Sequence, residues 1–152
     1  MSDALALSGG CHCGAVRLTY KTALAVADTA PRACDCSYCR AHGAAYLSDP
    51  AGRLRIRVSG DDALQSYRQG SETALFRMCA RCGVLVAVTY EQDGREYAAV
   101  NVGCLDDRDA FAAPVEVSPQ RLSREEKIDR WTQVWVPEVE WEHLAGARAA
   151  QE

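Results

Sequence analysis

Seven of the eight cysteines in this 152-residue chain fall into three tight groups. These are Cys11-His12-Cys13, Cys34-Asp35-Cys36-Ser37-Tyr38-Cys39 and Cys79-Ala80-Arg81-Cys82. Thiolates this close in sequence reach one ion through a tight turn, and zinc takes four such donors in a tetrahedron. Gly14 directly after Cys13 and Gly83 directly after Cys82 suit the close turns such knuckles need. The opening MSDALALSGG has neither a basic leader nor a sustained apolar stretch, so it does not read as a secretory signal. The expected compartment is the reducing cytoplasm, where clustered cysteines bind metal or do catalysis rather than form disulfides.

Seven thiolates cannot complete two four-cysteine sites. The simplest division gives Cys11, Cys13, Cys79 and Cys82 to a closed structural zinc that staples the N-terminal segment to the middle of the chain. Cys34, Cys36 and Cys39 then hold a second zinc with one position open, the arrangement of a catalytic site. His42, three residues after Cys39, has an acceptable spacing to fill that position, and the sequence leaves this open. His12 is expected to point away from the metal its neighbours bind, His143 to lie on the surface of a last helix, and Cys104 to be a small buried side chain.

A zinc on three thiolates carries a net charge of about −1 and is a weak Lewis acid, so activation of water is disfavoured. A bound thiol suits it better, because the metal holds the thiol as the attacking thiolate. A fourth thiolate would need cationic or N–H partners nearby, and Arg40, next to Cys39, is the best-placed candidate contact. Arg77 and Arg81 belong to the other knuckle.

The surrounding elements read as mainly β. Val16, Leu18 and Tyr20 alternate with polar residues, and 54–58, 63–67, 73–78, 84–90 and 97–102 are further strand-sized runs between Gly, Pro and Asp breakers that include Gln69-Gly70. Asp93-Gly94 marks a hairpin. Arg53, Arg55 and Arg57 alternate with Leu54, Ile56 and Val58, which puts the arginines on a solvated strand face. Ser123-Arg124-Glu125-Glu126 has capping-box spacing and predicts a short helical turn before an extended 131–136, and Pro137 predicts a last helix over 138–147. The sequence predicts a flexible N-terminus over 1–8, a single zinc domain over 9–144 and a flexible tail over 145–152. No apolar run approaches the roughly 20 residues a bilayer requires, so no membrane partner is expected. A net charge of −4 argues against nucleic acid.

Taken in order, Gly9-Gly10-Cys11-His12-Cys13-Gly14-Ala15-Val16, Cys34-Asp35-Cys36-Ser37-Tyr38-Cys39-Arg40, Phe76-Arg77-Met78-Cys79-Ala80-Arg81-Cys82-Gly83 and Asn101-Val102-Gly103-Cys104-Leu105-Asp106 resemble the glutathione-dependent formaldehyde-activating enzymes, a family grouped with the centromere protein V domain. The resemblance implies a β-tent fold, in which small antiparallel sheets pack around zinc sites, with short helices. It implies the same division of ligands, with Cys11, Cys13, Cys79 and Cys82 structural and Cys34, Cys36 and Cys39 catalytic. It also implies a carbon–sulfur lyase that adds glutathione to formaldehyde to give S-hydroxymethylglutathione. The rival expectation is a non-catalytic zinc-stabilised binding module, which closure of the second site by His42 would favour.

Overall fold

The computed structural model of the protein describes residues 5–69 and 72–144, so the expected loose ends at 1–4 and 145–152 and the breaker Gly70 lie outside the described residues. Of the extended segments expected, six are present, Val16–Thr22 (β2), Arg53–Ser59 (β5), Leu64–Tyr67 (β6), Leu75–Cys79 (β7), Leu85–Gln92 (β8) and Arg95–Asn101 (β9), while 131–136 is not extended. Five strands join them, Leu5–Gly10 (β1), Arg32–Cys34 (β3), Ala45–Leu47 (β4), Val115–Val117 (β10) and Glu138–Leu144 (β11), with α-helices Ser37–His42 (α1) and Arg124–Val134 (α2). Asp93 and Gly94 both take positive φ, 54° and 81°, the turn that matches the twist of the β8–β9 hairpin.

The strands form two sheets, in the orders β1-β2-β5-β11 and β10-β3-β4-β9-β8-β7-β6. Two pairings, β5 with β11 and β3 with β10, are parallel, so the sheets are mixed rather than wholly antiparallel. The larger sheet is the middle layer. On one face Val86, Ala98 and Val100 pack with Leu18, Leu54 and Ile56 of the smaller sheet. On the other, Phe76, Val88 and Ala99 pack with Trp131 and Trp135. Cover on both faces explains why Leu85–Tyr90 is buried without a break and reads as a continuous apolar run.

Three expectations are corrected. Leu5–Ser8 is not loose: β1 pairs with β2 from Leu5↔Thr22 to Gly10↔Arg17, and the Leu7 side chain is buried. The capping box at Ser123 is present, with Ser123 Oγ accepting from Glu126 N–H and Glu126 Oε1 accepting from Ser123 N–H. It opens a full eleven-residue helix, not a single turn, and Trp131 lies within it. The helix is held by its apolar side, where Trp131 and Trp135 stack at 4.9 Å between ring centroids and Tyr90 meets Trp131 at 5.3 Å. Each indole is the kind of side chain whose truncation to Ala costs about 3–5 kcal/mol.

The expected last helix is instead strand β11. Glu138, Glu140 and Glu142 lie opposite Arg53, Arg55 and Arg57 in register, while Val139 and Trp141 turn to the core. Arg55 and Arg57 donate to Glu140 and Glu142 at 3.0 Å. The arginine face is thus exposed but laddered with carboxylates, and His143 is an exposed residue of a strand, not of a helix. The pairs sit in solvent, where each contributes at most about 1 kcal/mol, so their main effect is to fix which strand occupies this edge.

Candidate metal centres and the cleft beside them

The first cluster joins the ends of two strands from different sheets. β1 runs into Cys11 and Cys13, and β7 ends on Cys79, with Cys82 in the turn that follows. The four Sγ atoms lie within 4.8 Å of one another. Cys13 Sγ is 3.7 Å from Cys11 Sγ and 3.6 Å from Cys79 Sγ. Four sulfurs about 2.3 Å from a central tetrahedral zinc stand about 3.8 Å apart, so the geometry fits such an ion and is far too long for a disulfide. Gly14 and Gly83 take positive φ, 86° and 80°, and each turns the chain back after its pair. Backbone N–H groups point at the sulfurs: Val16 donates to Cys11 at 3.2 Å, and Arg81 donates to Cys79 at 3.3 Å. Such donors offset the negative charge that four thiolates bring together.

The second cluster is Cys34, Cys36 and Cys39, again with all Sγ atoms within 4.8 Å. Cys34 ends β3, Cys36 caps α1, and Cys39 sits in that helix, so one strand-turn-helix unit delivers all three. Cys36 Sγ accepts from Cys39 N–H at 3.4 Å and faces the Gln69 amide at 3.6 Å. The Tyr46 hydroxyl lies 3.2 Å from Cys39 Sγ. Burial pushes the Tyr46 phenol well above its ordinary range, so it stays protonated and is available as a donor to Cys39 Sγ. A hydrogen bond from the Cys39 thiol holds Cys34 down at about 6, and the same contact raises Cys39.

Among the described residues no fourth His, Cys, Asp or Glu joins this trio. His42 is exposed, and its ring packs on Tyr38 one helical turn earlier at 4.7 Å. His12 is exposed between Cys11 and Cys13. Cys104 is buried and donates to the Leu85 carbonyl at 3.0 Å, outside both clusters, and burial pushes its thiol up to about 12.

The trio opens into a cavity of about 190 Å³ between the middle sheet and α2. Tyr46, Phe76 and Val88 line the sheet side, and Trp131 and Trp135 line the helix side. A third wall, Val117 to Gln120, is tied down by Asp35, which accepts from Ser118 Oγ at 2.5 Å and from Gln120 Nε2 at 3.0 Å.

Arg40, the cation expected from sequence, is exposed on α1 and does not line this cavity. The lining cations are Arg32, Lys127 and Arg130. Arg77 is held elsewhere by Glu96 at 3.2 Å with Trp141 against its guanidinium, and Arg81 reaches Asp62 at 3.7 Å. Sequence reasoning missed Tyr46 and Gln69, which carry no spacing signal. The α2 residues did carry one: 127, 130, 131 and 135 repeat at helical intervals.

The sequence pattern described as glutathione-dependent formaldehyde-activating enzyme matches residues 6–121, a stretch that includes both cysteine clusters. A Rhodobacter sphaeroides protein of known crystal structure is similar at 32% identity over 72% of this chain and 99% of its own, with a TM-score of 0.53. With three quarters of its length accounted for in this way, the chain belongs to the glutathione-dependent formaldehyde-activating enzyme family.

Proposed function

We propose that the protein is a zinc-dependent enzyme of the carbon–sulfur lyase type, which condenses a low-molecular-weight thiol, glutathione or a close analogue, with formaldehyde or another small aldehyde. The observation that carries this reading is a three-thiolate cluster facing a cavity, with no fourth protein ligand among the described residues. Family membership supports the choice of thiol and aldehyde. A glutathione-consuming reaction also fits a cytoplasmic location.

In the reaction the thiol sulfur forms a bond to the carbonyl carbon, the C=O π pair moves to oxygen, and the proton lost from the thiol ends on that oxygen. No oxidant or reductant is needed. Zinc held by Cys34, Cys36 and Cys39 would supply stabilisation of the incoming thiol as its thiolate. The chain's own groups do the rest. Tyr46 and Gln69 offer neutral donors to Cys39 and Cys36, which disperses thiolate charge without adding a competing cation. Trp131 and Trp135 keep one wall apolar and limit water beside the reacting carbon. The rival binding-module reading drew on His42 closing the second site, and the packing of His42 on Tyr38 does not favour it.

The test is Cys36→Ser. Exchange of label between free formaldehyde and its glutathione adduct should fall to the uncatalysed rate, while the four-cysteine site keeps its metal. Exchange as fast as in the unaltered protein would rule the proposal out.

A further inference from the structure

Among the described residues the three cavity cations have no acidic partner. Arg32, Lys127 and Arg130 make no ion pair within 4.0 Å among the described residues, although the chain has more acidic than basic groups. Arg32 is half-buried and donates only to the neutral Ser48 hydroxyl, at 2.6 Å. The Arg130 guanidinium lines the same cavity as Arg32. Two like charges brought together in a partly desolvated cleft are unfavourable unless an anion joins them. The strand arginines Arg53, Arg55 and Arg57, by contrast, each face a glutamate.

The cavity is also too small for a whole tripeptide. At about 190 Å³ it falls below the ~300 Å³ at which pockets that enclose drug-sized ligands begin. A thiol methylene and a one-carbon aldehyde fit inside, so the rest of a larger thiol must lie across the rim. Arg130 is exposed and Lys127 half-buried on the α2 face that carries Trp131 and Trp135 inward.

We propose that Arg32, Lys127 and Arg130 form a carboxylate clamp that seats the backbone of the thiol substrate, and that α2 is this protein's specificity element. This rests on the thiol-plus-aldehyde reading given above. The family match ends at residue 121, before α2 begins at Arg124, so the clamp's two helical cations lie outside the matched pattern. Arg32 aligns the ligand from the sheet side, and the helix pair reaches it from the opposite wall. Arginine forks suit carboxylates geometrically, and Lys127 adds a point charge.

The experiment measures calorimetric binding of S-methylglutathione, whose capped sulfur cannot act as the attacking thiolate, and of its diethyl ester, which lacks both carboxylates. The unaltered protein should prefer the acid roughly tenfold or more, and added salt should erode that preference. The double variant Lys127→Gln/Arg130→Gln should bind the acid at least tenfold more weakly and lose the preference. These positions are exposed or half-buried, so the fold should be retained, and an unchanged metal count checks it. Equal binding of acid and ester by the unaltered protein, no binding of either, or a preference that survives in the double variant would each overturn the clamp. Formaldehyde exchange is read separately. A clamp without exchange sinks only the reaction, and exchange with an indifferent double variant sinks only the clamp.

Discussion

Tyr46→Phe isolates a single hydrogen bond to a candidate metal ligand. The ring is buried in the cluster around α2, and phenylalanine keeps its shape, so core packing is conserved. What is lost is the hydroxyl 3.2 Å from Cys39 Sγ. A hydrogen bond to a charged acceptor contributes about 1.5–3 kcal/mol. At 1.4 kcal/mol per decade this is about 10- to 150-fold in affinity, close to the 10- to 100-fold typical of lost outer-shell partners of metal sites. The assay is competition for metal with a chromogenic chelator at fixed pH, resolved into the two sites. The four-cysteine site serves as an internal control, because Tyr46 donates to the other cluster. Affinity at Cys34, Cys36 and Cys39 should fall within the stated range while the control holds. A change under twofold, or an equal change at both sites, would refute the assignment of Tyr46 as a donor to bound thiolate.

His42→Ala should leave both metals in place by elemental analysis, since its ring packs on Tyr38 and not on the thiolate trio; loss of one metal would restore the closed-site reading. Gly9→Ala should lower the melting temperature more than Gly94→Ala. A Cβ at Gly9 would collide with the Cys104 carbonyl oxygen, whereas at Gly94 it meets nothing and only the φ of 81° resists it. The second cost is about 1–2 kcal/mol, or roughly 2–8 °C in a chain of this size; a reversed ranking would mean the segment around Cys104 yields easily. Cys104 should resist iodoacetamide in the native protein at pH 8. Its pKa is raised to about 12, so the unreactive thiol form persists until pH approaches that value. Mass spectrometry should find it labelled only after unfolding, and native labelling would contradict its burial.

The cysteine clusters were legible in the sequence because ligand spacing is local, and the turns that close them are marked by glycine. The hairpin at Asp93-Gly94 was legible for the same reason. The C-terminal third was not, and two periodicities there explain it. Trp131-Thr132-Gln133-Val134-Trp135-Val136 reads equally as a strand, and only packing of Trp131 and Trp135 against the middle sheet selects the helix. Glu138–Leu144 alternates cleanly, but Pro137 resembles a helix start. The deciding partner, the arginine strand β5, is more than 80 residues away. The cavity cations were hidden for that same reason, since Arg32 and Arg130 become neighbours only when β3 and α2 meet.

Cys13 and Cys79 are 66 residues apart in the chain and 3.6 Å apart in space, one following a strand of the outer sheet and the other ending a strand of the middle sheet. An ion held there would act as a cross-link between layers, and closing so long a loop would remove about 4 kcal/mol of unfolded-chain entropy by the usual chain-entropy model. Chelation would then melt both layers together, and the thermal midpoint would climb with free metal concentration. The three-cysteine cluster would be lost in the same step, so supply of metal to the scaffold would set how long the cleft persists.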